Sequence, residues 1–445
     1  MLVIQKPDFI IEEFKRALTA LGVNYSNEQV QGLAEVVEQS MSTEGRYFHR
    51  TSHIAELVDA ADPVVTLAAL FHDLVYYQVD KSFPAMADRF LLPIVRIEGQ
   101  DVYLAKDCLS RQPEVTLVCE IFGVKPGDKL NPVKGLNEFL SAVVAYEYLA
   151  PFLHKQILIQ IVACIEATIP FRSAKTGEDP IAVLETAFRS CNDKFRLGFK
   201  DSEVLVAIQR AVKLANSDVK NFASTDPSWF LATTWLLLPE RNERLRGSLY
   251  TFKDYRMGLQ KMEEFFHFLS PDLVFKQYRG YPDQKTFENY HVAAAYNINL
   301  SRDYLKAKIL AIGMLEALAV STGGDLPISE FLGEVRATGA PGSRMEDFLP
   351  AVSGEAPVDL TVLGLLKTGR ALEATFDLRN SPLAAFIYQQ IGDAGLKTLS
   401  PKKYFSGEMK SWEYLRLFPK RILSDVTTAC AQICISRKKE FKKTS

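Results

Sequence analysis

The sequence predicts an all-α protein, a helical bundle followed by a second helical region. Three observations carry this. Apolar residues recur at helical spacing through most of the 445 residues, start and stop signals bracket those runs, and the composition shifts once, after residue 320, before helical patterns return.

The elements follow in order. Pro7 marks a helix start, Phe9, Ile10, Phe14, Ala17, Leu18 and Leu21 share a face, and Gly22 stops the run. Ser26 and Gln29 have capping-box spacing ahead of Val30, Leu33, Val36, Val37 and Met41. A third helix is expected from His53 to about Ala61. Asp62-Pro63 starts a fourth, PVVTLAALFHDLVYY, so nearly apolar that it must be buried. Residues 80–135 are less regular and end in the turn-rich KPGDKLNPVKG. Helical patterns return at 137–170, 181–196, 202–217, 228–238, 251–269 and 302–320. Residues 321–360, rich in Gly, Pro, Ser and Asp, read as a linker or long loop, and 360–438 are helical again.

Length alone favours two domains, and 47% apolar residues suffice for two cores. The net charge of -2 leaves no electrostatic footprint for nucleic acid. The basic tail Arg437–Lys443 reads as solvated. Six scattered cysteines suit a reduced, cytoplasmic compartment better than a disulfide framework. MLVIQKPDFIIEEF has acids within its apolar stretch, unlike a signal peptide, and no run is long enough to span a membrane.

The chemistry concentrates in few residues. Three of the six histidines, His49, His53 and His72, fall close together. His49 and His53 are at i and i+4, so one helical face presents both if the helix begins early enough. Asp73 follows His72 at the end of an apolar run, where a carboxylate is costly to bury unless paired or metal-bound. Asp218 follows the clean apolar face Val204, Leu205, Ile208, Val212 and Ala215. Two imidazoles and two carboxylates form a mixed N/O set suited to one divalent ion: Mn, Fe, Co, Ni, Zn or Mg. The competing reading is a structural His–Asp pair within a core.

RYFHRTSHIAELV, LAALFHDLVYY and LANSDVKNFA together resemble the HD superfamily of metal-dependent phosphohydrolases, with its H…HD…D ligand order. The resemblance is closest to a bacterial group of predicted HD hydrolases and covers roughly residues 1–300. Asn137-Glu138…Ser141-Ala142, Thr168 and Tyr250…Tyr255-Arg256-Met257-Gly258…Phe268-Leu269 correspond to its later, weaker segments. It implies an HD-type domain over 1–310, with His53, His72, Asp73 and Asp218 as metal ligands. A helical region of unknown role would then occupy 325–445.

The chain departs from the pattern in three places. The segment 80–136 reads as an insertion, either a lid or substrate-selecting element or plain structure. Ile169-Pro170-Phe171 stands where the group often has a histidine. Tyr76 stands where cyclic-nucleotide phosphodiesterases carry His and small nucleotidases carry Glu. A di-iron HD oxygenase needs two further histidines before the last Asp, and only His154 lies there. A single metal is therefore favoured.

The implied activity is metal-activated water attack on a small phosphorylated molecule, with nucleotides as one candidate class. His49 is the expected proton donor to the leaving group. Glu138 is either an acid that orients the ligand histidines or a surface carboxylate. Arg46, Arg50, Lys81 and Arg172 read as solvated charges rather than phosphate contacts, and His154, His267 and His291 as non-ligands. Tyr76 and Tyr77 read as packing more than pocket lining. The alternative function is a non-catalytic ligand sensor or regulatory protein that keeps the metal site, and the C-terminal helices are a candidate homo-oligomer surface.

Overall fold

A computed structural model describes residues 8–172, 179–247, 249–333, 343–352, 354 and 356–444. Pro7 and residues 334–342 lie outside that range. With 65% helix and 4% strand, the protein is all-α. It divides into two compact units. The first comprises residues 1–223 and 270–294, and the second 224–269 and 295–445. The compositional shift at 321–360 thus lies inside the second unit.

In the first unit, α1 (Phe9–Ala20), α2 (Asn27–Met41), α3 (Thr51–Leu57) and α4 (Pro63–Phe71) lead the bundle. The Ser26 capping box is formed, with Gln29 N donating to Ser26 Oγ and Ser26 N to Gln29 Oε1. Asp62 accepts from Val64 N and Val65 N, which with Pro63 at the first turn fixes where α4 begins. Every residue of α4 from Val64 to Phe71 is buried. The Lys155–Ala167 helix is central: it packs against α4 and against the Leu136–Leu149 and Asp201–Asp218 helices. Gly135 begins the Leu136–Leu149 helix at φ +87°, and a Cβ there would lie 2.3 Å from Ile169 Cδ1. Only glycine meets both demands.

Two helices differ from expectation. The third runs Thr51–Leu57 rather than His53–Ala61, so His49 precedes it in a bend instead of sharing its face with His53. The fourth ends at Phe71, with His72 as its C-cap and Asp73 in the following turn. Apolar content predicted a longer helix, but Arg46 takes the carbonyls beyond it. Its guanidinium donates to Asp73 O at 2.7 Å and Leu74 O at 2.9 Å.

The segment 80–136 contains the one sheet among the described residues. Its antiparallel order is β1 (Val95–Glu98), β2 (Asp101–Leu104), β3 (Lys129–Leu130). Leu91, Ile94, Leu104, Val118 and Ile121 from this segment belong to the same core as α1, α2 and α4. The segment is therefore continuous with the bundle's interior. All six cysteines are buried and free. Among the described residues no helix is long and apolar enough to cross a membrane.

The second unit has its own buried elements, among them Pro227–Trp235, Phe252–Phe268, Leu360–Thr368, Pro382–Thr398 and Lys420–Ile433. At its centre Asp377 Oδ2 accepts from Trp235 Nε1 (2.9 Å), Tyr255 Oη (2.8 Å), Arg370 (3.2 Å) and Lys308 Nζ (3.3 Å). Arg370 also stacks over the Trp235 ring at 4.3 Å.

Candidate metal centre

Three elements of the first unit bring four ligand-type side chains together. His53 comes from α3, His72 and Asp73 from the end of α4, and Asp218 from the last position of the Asp201–Asp218 helix. One ligand atom from each lies within 4.8 Å of all the others. His53 Nε2 is 2.8 Å from Asp218 Oδ1 and 3.8 Å from Asp73 Oδ2. His72 Nε2 is 2.8 Å from Asp73 Oδ2 and 3.4 Å from Asp218 Oδ1. Among the described residues no second such group occurs.

The donor set can be tested for a metal on its own geometry. His72 Nδ1 donates to Ala69 O at 2.9 Å, which fixes the ring and turns Nε2 toward the carboxylates. That Nε2 is buried and makes no hydrogen bond of proper geometry. A buried imidazole nitrogen that faces two carboxylates without a properly formed hydrogen bond is the arrangement a cation would complete. Residues and group fit.

The electrostatics agree. Burial disfavours a charged His72, but Asp73 and Asp218 outweigh it and push its pKa well above the ordinary imidazole value. Burial likewise opposes ionisation of Asp73 and Asp218, yet the imidazoles hold Asp73 far below the carboxylate range and Asp218 down to about 2. The centre therefore calls for positive charge, as a proton or as a cation.

Glu138 is 8% exposed on the Leu136–Leu149 helix, and its Oε2 has no hydrogen-bond partner. Burial, then the charges of Asp73 and Asp218, pushes its pKa up to about 8. The surface-carboxylate reading of this residue is thereby set aside. His49 is half-buried. Its Nε2 lies 4.0 Å from Asp73 Oδ2, and its ring meets the Tyr76 ring edge-on at 4.5 Å. It stands beside the four-residue cluster without joining it.

The cations need a correction. Arg46 is fully buried, not solvated. It pairs with Asp80 at 2.6 Å as well as holding the Asp73 and Leu74 carbonyls, so its charge serves the turn that carries Asp73. Arg172 pairs with buried Glu166, and Arg50 donates to Arg46 O. His154 and His267 are exposed, and His291 lies 3.5 Å from Asp272, all outside the cluster.

Asn137 and Ser141, named in the sequence only as part of the resemblance, take a role at the turn. Ser141 Oγ accepts from Val75 N at 2.9 Å, and Asn137 Oδ1 accepts from Tyr77 N at 3.1 Å. Together they pin the backbone that follows His72-Asp73. The signal was the Asn-Glu-x-x-Ser spacing, which places Ser141 about one helical turn beyond Asn137 and Glu138. Comparison of the chain with protein-family models, curated proteins and solved structures finds no match.

Proposed function

We propose that the protein is an HD-type, metal-dependent phosphohydrolase or phosphodiesterase acting on a small phosphorylated molecule, with nucleotides the first class to test. The observation that carries this reading is the convergence of His53, His72, Asp73 and Asp218, with the buried His72 Nε2 facing both carboxylates without a properly formed hydrogen bond. These four would hold one divalent ion. When bound, such an ion lowers the pKa of water toward about 7 and polarises a phosphoryl oxygen.

The chain's own residues supply the rest. Ala69 O holds the His72 tautomer, and Arg46, Ser141 and Asn137 hold the turn that aims Asp73. His49, beside the ligands but not among them, would give a proton to the leaving oxygen. Burial raises the pKa of Glu138 and so favours its protonated form, which can donate a hydrogen bond where an ionised carboxylate could only accept.

The test has two parts. Metal analysis of freshly purified protein is expected to find near one ion per chain, lost in His72→Ala and Asp73→Ala. A panel of bis-p-nitrophenyl phosphate and nucleotides, supplemented with Mn, Co or Ni, is expected to show turnover that the same variants abolish. Metal without turnover on any substrate would favour the sensor reading, and fresh protein without metal would end both.

A further inference from the structure

The second unit holds a pocket of its own, whose atom-free space is roughly 500 Å³ when its open mouth is included. Its walls are of two kinds. Ile312, Ile328, Leu332 and Leu383 offer an aliphatic surface, and Lys308, Ser381 and Glu346 are among the groups that offer polar atoms.

The polar groups are not equivalent. Lys308 is 4% exposed and already engaged: its Nζ donates to Ser381 Oγ at 2.8 Å and to Asp377 Oδ2 at 3.3 Å. Asp377 is met by Trp235, Tyr255 and Arg370 as well. Glu346 differs. Among the described lining residues, its Oε2 is the buried side-chain atom that accepts nothing. The short turn Met345–Phe348 that carries it packs on the Lys420–Ile433 and Ser329–Leu332 helices, so the carboxyl is held where it stands. Burial accordingly raises its pKa. An acceptor stranded this way is costly unless something donates to it. The charges of Arg344 and Lys308 act on Glu346, but the Lys308 ammonium donates to Ser381 and Asp377, and the strongest small donor that also suits aliphatic walls is an alkylammonium group.

The geometry points to a binding site for a small aliphatic amine. Its ammonium group donates to Glu346, and its chain lies against Ile312, Ile328, Leu332 and Leu383. This site is separate in sequence and chemistry from the metal cluster and does not depend on that cluster's function.

Ligand-detected NMR on the full chain, with hexylamine, hexanol and hexanoate as probes and a chelator present, tests it. Hexylamine is expected to bind saturably and at least tenfold more tightly than either other probe. Glu346→Gln, which keeps the shape and removes the charge, is expected to weaken it at least tenfold. Leu332→Trp, which fills the half-buried wall, is expected to abolish it, and this variant decides the matter if Glu346→Gln does not fold. His72→Ala is expected to bind the amine as the unaltered chain does. Tighter binding of hexanoate would make Lys308 the anchor and overturn the proposal. Hexylamine binding that survives Glu346→Gln, or that disappears in His72→Ala, would overturn it equally.

Discussion

Each unit buries carboxylates among basic side chains, but the two clusters are balanced differently. Around Asp377, one carboxylate meets two fixed cations, Lys308 and Arg370, and two neutral donors, Trp235 and Tyr255. Around His72, two carboxylates meet imidazoles, which carry charge only when protonated. The first cluster is completed by the chain and acts as a cross-link between distant segments. The second has no fixed cation of its own, and under the proposed function a divalent ion would complete it. A buried carboxylate is therefore not a sign of function in itself. What matters is whether the chain also provides its counter-charge.

The contrast is broken most directly at Asp377. Asp377→Asn leaves Lys308 and Arg370 buried without a counter-ion, and removing one partner of a buried pair costs about 3–5 kcal/mol. Denaturant unfolding is expected to show that loss, while metal content stays unchanged. The pH dependence follows from the sign of its shift. Burial opposes ionisation of Asp377, but Lys308 and Arg370 hold its pKa below the usual 3.8. Its contribution is therefore complete above that value and is lost only as pH falls through the lower, folded-state pKa. A transition that weakened between pH 7 and pH 5 in the unaltered chain but not in Asp377→Asn would contradict this.

The metal cluster is expected to respond to its ion instead. At a free-ion concentration of a hundred times Kd, binding stabilises the native state by about 2.7 kcal/mol. Chelator should remove that increment from the unaltered chain and leave Asp73→Asn where it was. Equal responses of the two proteins to chelator and to added Mn would show that Asp73 is no ligand.

Glu138 gives an effect with the opposite pH sign. Its pKa is pushed up to about 8 by burial first and by Asp73 and Asp218 next. In metal-free protein the native state keeps a proton that the unfolded chain has released. Stability therefore falls with rising pH between about 4.5 and 8, by up to about 1.4 kcal/mol per unit. Glu138→Gln keeps the shape without the proton, so its unfolding free energy should be flatter over pH 6–8 and exceed that of the unaltered chain at pH 8. Parallel curves for the two proteins would remove Glu138 from the electrostatics of the centre.

The two clusters were also unequally legible in the sequence. His72 and Asp73 are adjacent, His53 lies 19 residues before His72, and Asp218 ends a clean amphipathic run, so local sequence reports that site. Asp377 draws Trp235 and Tyr255 from more than a hundred residues away and Lys308 from 69. No periodicity encodes such a meeting. The all-α class was readable because helical spacing and caps such as Ser26 and Asp62 are local. The end of α4 at Phe71 was not, since the interactions that hold the turn beyond it come from Arg46, Asn137 and Ser141, which no pattern in that run discloses. The small sheet at 95–130 was missed for a related reason. Its strands are at most four residues long, too short for an alternating pattern to stand out.

Ser141 gives the smallest of these effects and the most pointed one. Its hydroxyl accepts from Val75 N two residues beyond Asp73, and both residues are buried. Ser141→Ala removes the acceptor and leaves that amide unsatisfied, at a cost of about 1 kcal/mol. If the bond were only structural, the loss would appear in unfolding and nowhere else. If it positions the turn that aims Asp73, affinity for the ion should fall as well, since loss of an outer partner typically costs about 10-fold or more. Titration of metal-free Ser141→Ala with Mn separates the two. Unchanged affinity beside lowered stability would return Ser141 to the core. Lowered affinity would make the Leu136–Leu149 helix part of the metal centre through its backbone contacts, as well as through Glu138.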